Sequence, residues 1–341
     1  MGVEDPVVIT CAISGVLANR EQCPAIPYTP EEYAAESRRI VDEGATMIHI
    51  HARKPDGSPS FEVEDYKAIS DAIRAEVGTA AIINFSTGAV GVSVEKRIAY
   101  LRECRPEVAA LNMGSMNYAK YSRSRKDFVF KMVFANPFEE IIELLRAMRE
   151  LGIKPEHECF DLGHVGSLEP LIDMGVLEPP LHVDCIMGVV GGVPPGARNL
   201  AAMVANIPGV GVGVGDGDGA GVGVGAEGQR ANVTGGQGDV KDAGGKHGDV
   251  EDAGVCARAR TRAHWAVIGI SRRQWELAAA ALTLGGSIRV GLEDNLYLPS
   301  GDMARSNGEL VAKARQMTED IGRRPATVQE ARALLNISEP R

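Results

Sequence analysis

Eight short apolar runs recur along the chain, each followed by a segment of helical period. They are VVITCAI (7–13), TMIHIHA (46–52), AAIINFS (80–86), VAALNMG (108–114), HECFDLG (157–163), LHVDCIMGV (181–189), HWAVIGI (264–270) and SIRVGLED (287–294). Strands that alternate with helices form a mostly parallel sheet covered on both faces. Eight such units predict a (β/α)₈ TIM barrel. A doubly wound open sheet is the fallback, and it is weakened because no G-x-G-x-x-G follows the first run. The segment after the first run starts a helix in a readable way: Thr29 as N-cap, Pro30 at the first helical position, and acidic residues in the first turn. TVQEARALLNI (327–337) predicts an additional C-terminal helix.

One segment departs from this pattern. From Gly209 to Gly225 every second residue is glycine, and the related repeats GDVKDAG (238–244) and GDVEDAG (248–254) follow. Such a composition has much entropy to lose on ordering and little to pack. The chain is therefore expected to divide into 1–207 (strands one to six), a low-complexity, disordered insertion over 208–262, and 263–341 (strands seven and eight with the C-terminal helix). An insertion between the sixth helix and the seventh strand is an αβ connection. It lies on the face opposite a barrel's active site.

Composition excludes several classes. The 341 residues are 44% hydrophobic, enough for a large core, yet no apolar run approaches the ~18 residues of a membrane span. The formal net charge of -10 argues against nucleic-acid binding. None of the six cysteines forms a C-x-x-C pair, and Cys11, Cys159 and Cys185 lie in strand-like runs as small buried hydrophobes. The N-terminal MGVEDPVVIT has acids where a signal peptide has bases. The expectation is a soluble, cytoplasmic protein.

A barrel's active site lies at the C-terminal ends of its strands. Those ends carry His49, His51 and Arg53 on strand two, and Asn84, Ser86, Thr87 and Gly88 on strand three. Strand four ends with Asn112, Gly114, Ser115 and Asn117, strand five with Asp161 and His164, and strand eight with Arg289, Glu293 and Asp294. In MIHIHAR, His49 and His51 point to one face because side chains alternate along a strand. Two histidines and a carboxylate from another strand make a three-ligand metal site with an open position. Glu293 is the best third ligand, alternating with Gly291 and Arg289. Asp294 breaks that alternation and reaches the pocket only if the strand ends there. The residues alone leave two readings, a metal site or two satisfied interior histidines.

Together, ITCAISG, PYTPEE, GATMIHIHAR, NFSTG, LNMGSMN and RVGLEDNLY resemble the β-keto acid cleavage enzymes, of which 3-keto-5-aminohexanoate cleavage enzyme is the best-known type. The resemblance implies a zinc-dependent barrel, usually a homotetramer. Its reaction converts a β-keto acid and acetyl-CoA into acetoacetate and a new acyl-CoA. It further implies that His49, His51 and Glu293 bind zinc, that Asp294 is the general base, and that Arg289 is its charged neighbour. Ser86 and Gly88 fall in the substrate-binding loop, with Asn112 or Ser115 reaching substrate from strand four. No phosphate loop for CoA is evident.

One departure bears on specificity. The aminohexanoate enzyme has a G-A-E stretch after strand one, whose glutamate receives the substrate's ammonium. Here the stretch is Gly15-Val16-Leu17. A buried ammonium facing leucine would be unsolvated, so an uncharged, aliphatic β-keto acid is expected. A dicarboxylate would need Arg20 or another base to reach the pocket. Two rival readings stand beside this one. The first is a metal-dependent hydrolase of amidohydrolase type, although those place H-x-H on strand one. The second is a catalytically retired barrel that acts as a binding protein.

Overall fold

The computed structural model describes residues 2–210 and 263–338. Eight parallel strands close into a barrel in the order β1-β10-β9-β8-β7-β4-β3-β2. They are β1 (Ile9–Ala12), β2 (Met47–Ile50), β3 (Ile82–Ser86), β4 (Val108–Asn112), β7 (Lys154–Cys159), β8 (Leu181–Met187), β9 (Ala263–Gly269) and β10 (Ser287–Val290). All eight lie within the expected apolar runs or overlap them. The expected barrel is the fold. The insertion predicted over 208–262 lies, from residue 211 onward, outside the described residues, between α7 (Ala197–Ala205) and β9.

Local signals formed as read. Thr29 and Glu32 make a reciprocal capping box at α1 (Pro30–Asp42), with Pro30 in the first turn. A C-terminal helix runs Val328–Leu335, again behind a capping box, from Thr327 and Glu330. Its Ala331 and Leu335 pack with Val8, Met47, Ile82 and Val108. These apolar residues cover the N-terminal end of the barrel.

An antiparallel hairpin, β5 (Met116–Ser122) and β6 (Asp127–Phe134), follows β4 and stands outside the barrel sheet. None of the eight expected runs covers it. Tyr118, Phe134 and Phe160 meet edge to face, and they seat the hairpin over the C-terminal mouth. Among the described residues, no helix is long and apolar enough to cross a membrane.

Candidate active site at the barrel mouth

Strand alternation turns His49 and His51 inward, with ring centroids 5.4 Å apart. His49 Nε2 lies 3.7 Å from Glu293 Oε2, and His51 Nε2 lies 3.4 Å from Glu293 Oε1. The backbone of His51 is pinned because its carbonyl accepts from Ser14 Oγ and from the Tyr33 hydroxyl.

β10 ends at Val290, and Gly291 turns the chain at φ +137°. A Cβ at Gly291 would meet the Ala12 carbonyl oxygen at 2.2 Å, so only glycine fits there. The turn lets both Glu293 and Asp294 face the interior, which strict alternation would forbid. The Glu293 N–H donates to the Ala12 carbonyl, and Leu292 N–H donates to Asn307 Oδ1. Asn307 is fully buried and also donates to the Ile13 carbonyl and to Glu36, tying the turn to the end of β1 and to α1. Gly15, at φ +58°, leaves room for the Glu293 side chain; a Cβ there would lie 2.6 Å from Glu293 Cγ.

Arg289 is the electrostatic hub. It grips Asp294 through Nε (3.0 Å) and Nη2 (3.1 Å), and reaches Glu293 (2.8 Å) and Glu158 (3.2 Å). Burial alone would raise the Glu293 carboxyl, but His51 and Arg289 hold it well below the ordinary carboxylate range. Asp294 goes the other way. Burial outweighs Arg289, and with the neighbouring Glu293 charge pushes it up to about 6. Burial, then Arg289, keeps the His49 imidazole neutral, the state in which it can ligate a metal.

The donors fit a metal. His49, His51 and Glu293 place ligand atoms within 4.8 Å of one another. His49 Nδ1 and Nε2 and Glu293 Oε2 are buried with no hydrogen-bond partner. Unpaired polar atoms in a dry interior are costly, and a shared cation would satisfy them.

Above this cluster lies a cavity of about 310 Å³. Its floor is polar: His51, Ser86, Asn112, Glu158, Arg289, Glu293 and Asp294. Its wall is apolar, with Leu17, Phe61, Val90, Met132 and Phe134 among its residues. Ser86 Oγ accepts from the Gly88 N–H at 3.2 Å, and a Cβ at Gly88 would come within 3.1 Å of Asn112 Nδ2. Ser86, Gly88 and Asn112 thus share one corner. Ser115 does not join them. It is exposed, and its Oγ accepts from the Asn136 N–H at the base of the hairpin.

Other residues at the strand ends have structural partners. Arg53 donates to the carbonyls of Ser14, Gly15, Ala18 and Gly57, bracing the loop that carries Leu17. Asp161 caps the short helix after β7 by accepting from the His164 N–H. Arg20 pairs with Glu32 and lies over the Tyr28 ring, away from the cavity. Sequence reasoning missed Glu158, which points inward from β7. Its signal was there, in the alternating carboxylates Glu156 and Glu158 of KPEHEC. Burial, opposed by Arg289 and reinforced by Glu156, pushes the Glu158 carboxyl up to about 8.

A family profile described as beta-keto acid cleavage enzyme matches residues 6–227 and 231–337. The 3-keto-5-aminohexanoate cleavage enzyme of Acetoanaerobium sticklandii is 30% identical over 98% of this chain and 100% of its own. The 3,5-dioxohexanoate:acetyl-CoA acetone transferase of Paraburkholderia graminis is 29% identical, over 99% of this chain and 97% of its own. The 3-oxoadipate:acetyl-CoA acetyltransferase of Cupriavidus necator is 28% identical over 97% and 95%. Among solved structures, apo ObcA superposes with a TM-score of 0.62 at 20% identity, over 92% of this chain and 66% of that longer one.

Proposed function

The chain belongs to the β-keto acid cleavage enzyme family, and from that premise we propose that it is a zinc-dependent, acetyl-CoA-dependent acyltransferase acting on an uncharged, apolar β-keto acid. The reaction converts the β-keto acid and acetyl-CoA into acetoacetate and a new acyl-CoA. One observation carries this reading: both His49 nitrogens and Glu293 Oε2 are buried without partners, with His51 beside them, and they adjoin the Arg289–Asp294 pair at a single cavity with an apolar wall.

His49, His51 and Glu293 would hold the zinc, which when bound would supply Lewis-acid polarisation of a substrate carbonyl. Asp294 takes the proton from the carbon between ketone and carboxylate, and its raised pKa suits a base working near neutrality. Arg289 fixes both Asp294 oxygens, so the base keeps its orientation. Ser86, Gly88 and Asn112 bind the substrate carboxylate end, with the Ser86 hydroxyl and the Asn112 amide as donors. Leu17 and the apolar wall receive the tail. No carboxylate stands at position 17 to meet an ammonium, and Arg20 is engaged with Glu32, which disfavours both aminated and dicarboxylate substrates.

A homotetramer in the cytoplasm completes the proposal. Exposed Tyr121, Phe128, Val129 and Val133 on the hairpin suit a subunit contact, and sedimentation of the purified protein tests it. The deciding experiment is CoA-ester formation by zinc-loaded protein with acetyl-CoA and a panel of β-keto acids, beside Asp294→Asn. Product from an uncharged keto acid, lost in the variant, supports the reading. Hydrolysis without CoA transfer would replace it with the hydrolase, and zinc binding with no turnover would replace it with the retired barrel.

A further inference from the structure

Beneath the mouth, the barrel interior holds a second set of side chains with no role in the proposed reaction. Glu156 on β7 and His182 and Asp184 on β8 all point inward, and none is more than 1% exposed. His182 and Asp184 are two apart on one strand, so both face the same side. Barrel closure sets His182 beside Glu156, in the middle of the interior.

The spacing is that of a ligand set. His182 Nε2 lies 3.6 Å from Glu156 Oε1 and 3.5 Å from Asp184 Oδ1. The three donor atoms lie within 4.8 Å of one another, as in the His49–His51–Glu293 cluster. Metal–ligand bonds of about 2.0–2.2 Å at tetrahedral angles put neighbouring donors ~3.4 Å apart. Among the described residues, Glu156 Oε1, both Asp184 oxygens and His182 Nδ1 have no hydrogen-bond partner. Neither carboxylate makes an ion pair with a Lys or Arg among the described residues, whereas Glu158 and Asp294 share Arg289. An uncompensated pair of buried carboxylates is among the costliest arrangements a core can hold.

We infer that Glu156, His182 and Asp184 form a second, fully interior site for a divalent first-row transition ion, separate from the cluster at the mouth. One imidazole and two carboxylates suit zinc, manganese or ferrous iron, and their charge offsets that of the ion. The other Glu156 oxygen accepts from Asn84 Nδ2 at 2.7 Å and lies 3.9 Å from His49 Nδ1. Glu156 therefore stands next to a ligand of the mouth site, so the inner ion would fix a side chain that borders the outer one. With no exposed ligand, the inner ion enters during folding and leaves slowly.

The test uses full-length protein expressed in zinc-supplemented medium and analysed by elemental mass spectrometry, without reference to activity. About two zinc ions per chain are expected, about one in Asp184→Asn and about one in His51→Ala, each lost from a different site. Dialysis against a chelator is expected to remove the mouth ion and leave the inner one. Because Asp184→Asn can disturb folding, wild-type crystals supply the independent arm, with anomalous maps at the zinc, manganese and iron edges. A peak between Glu156, His182 and Asp184 upholds the inference. Metal confined to the mouth, or a second peak elsewhere, overturns it in favour of a proton shared by Glu156 and Asp184, and leaves the proposed reaction untouched.

Discussion

Two buried arginine–carboxylate clusters, one at each end of the barrel, show how differently the same groups can be used. At the closed end, one carboxylate meets two arginines. Glu107 accepts from Arg74, from Arg332 Nε and Nη2, and from the Ile83 N–H, and no Glu107 oxygen is left unpaired. At the mouth, one arginine serves three carboxylates, and the neighbouring histidine and glutamate atoms are left without partners. The first cluster spends its hydrogen bonds on the fold. The second withholds them, and a buried group kept unsatisfied is available to a ligand.

The comparison breaks most visibly at Asp294. Asp294→Asn removes the base and one of its two Arg289 acceptors, so the rate of CoA-ester formation is expected to fall by ~10²–10⁴, while Glu158 and Glu293 still pair Arg289 and limit the shift in the urea midpoint. Glu107→Gln is the mirror experiment. It leaves two arginines around a neutral amide, and a loss of about 3 kcal/mol in urea unfolding is expected, with kcat unchanged in the folded protein. If the two variants exchanged these effects, the division of labour between the ends would be wrong.

Smaller effects sharpen it. Gly15→Ala crowds Glu293 directly, so zinc affinity is expected to drop ~10–100-fold by competition with a chromophoric chelator. Leu17→Glu is expected to lower kcat/KM for an aliphatic β-keto acid by ~10-fold and to raise it for an aminated one; a panel assay reads both changes. Lys154, at the closed end, gives the smallest effect. Burial, partly opposed by Glu178, lowers its ammonium to about 8. Its folded pKa is thus below its unfolded one, and the unfolded chain binds more protons between about pH 8 and the ordinary lysine range. Stability should rise with pH across that window. Thermal melts from pH 7 to 10 should show this rise in the wild type but not in Lys154→Met.

The sequence by itself carried the barrel, because strand runs alternating with capped helices leave few other ways to cover a parallel sheet. It also carried the H-x-H pair, since alternation within one strand is a local property, and it brought Glu293 and Asp294 to the mouth, conditional on a strand end that Gly291 supplies. Tertiary structure decided the rest. Whether Ser86, Asn112 and Ser115 share a pocket depends on where the hairpin after β4 folds, and that packing is set by aromatic contacts remote in sequence. Which residues stand level inside the barrel depends on the tilt and stagger of closure. That geometry sets Glu156 against Asn84, His49 and His182, and brings Glu158 to Arg289. No spacing along the chain encodes these contacts, because each joins strands whose relative height is fixed only once the eighth strand closes on the first.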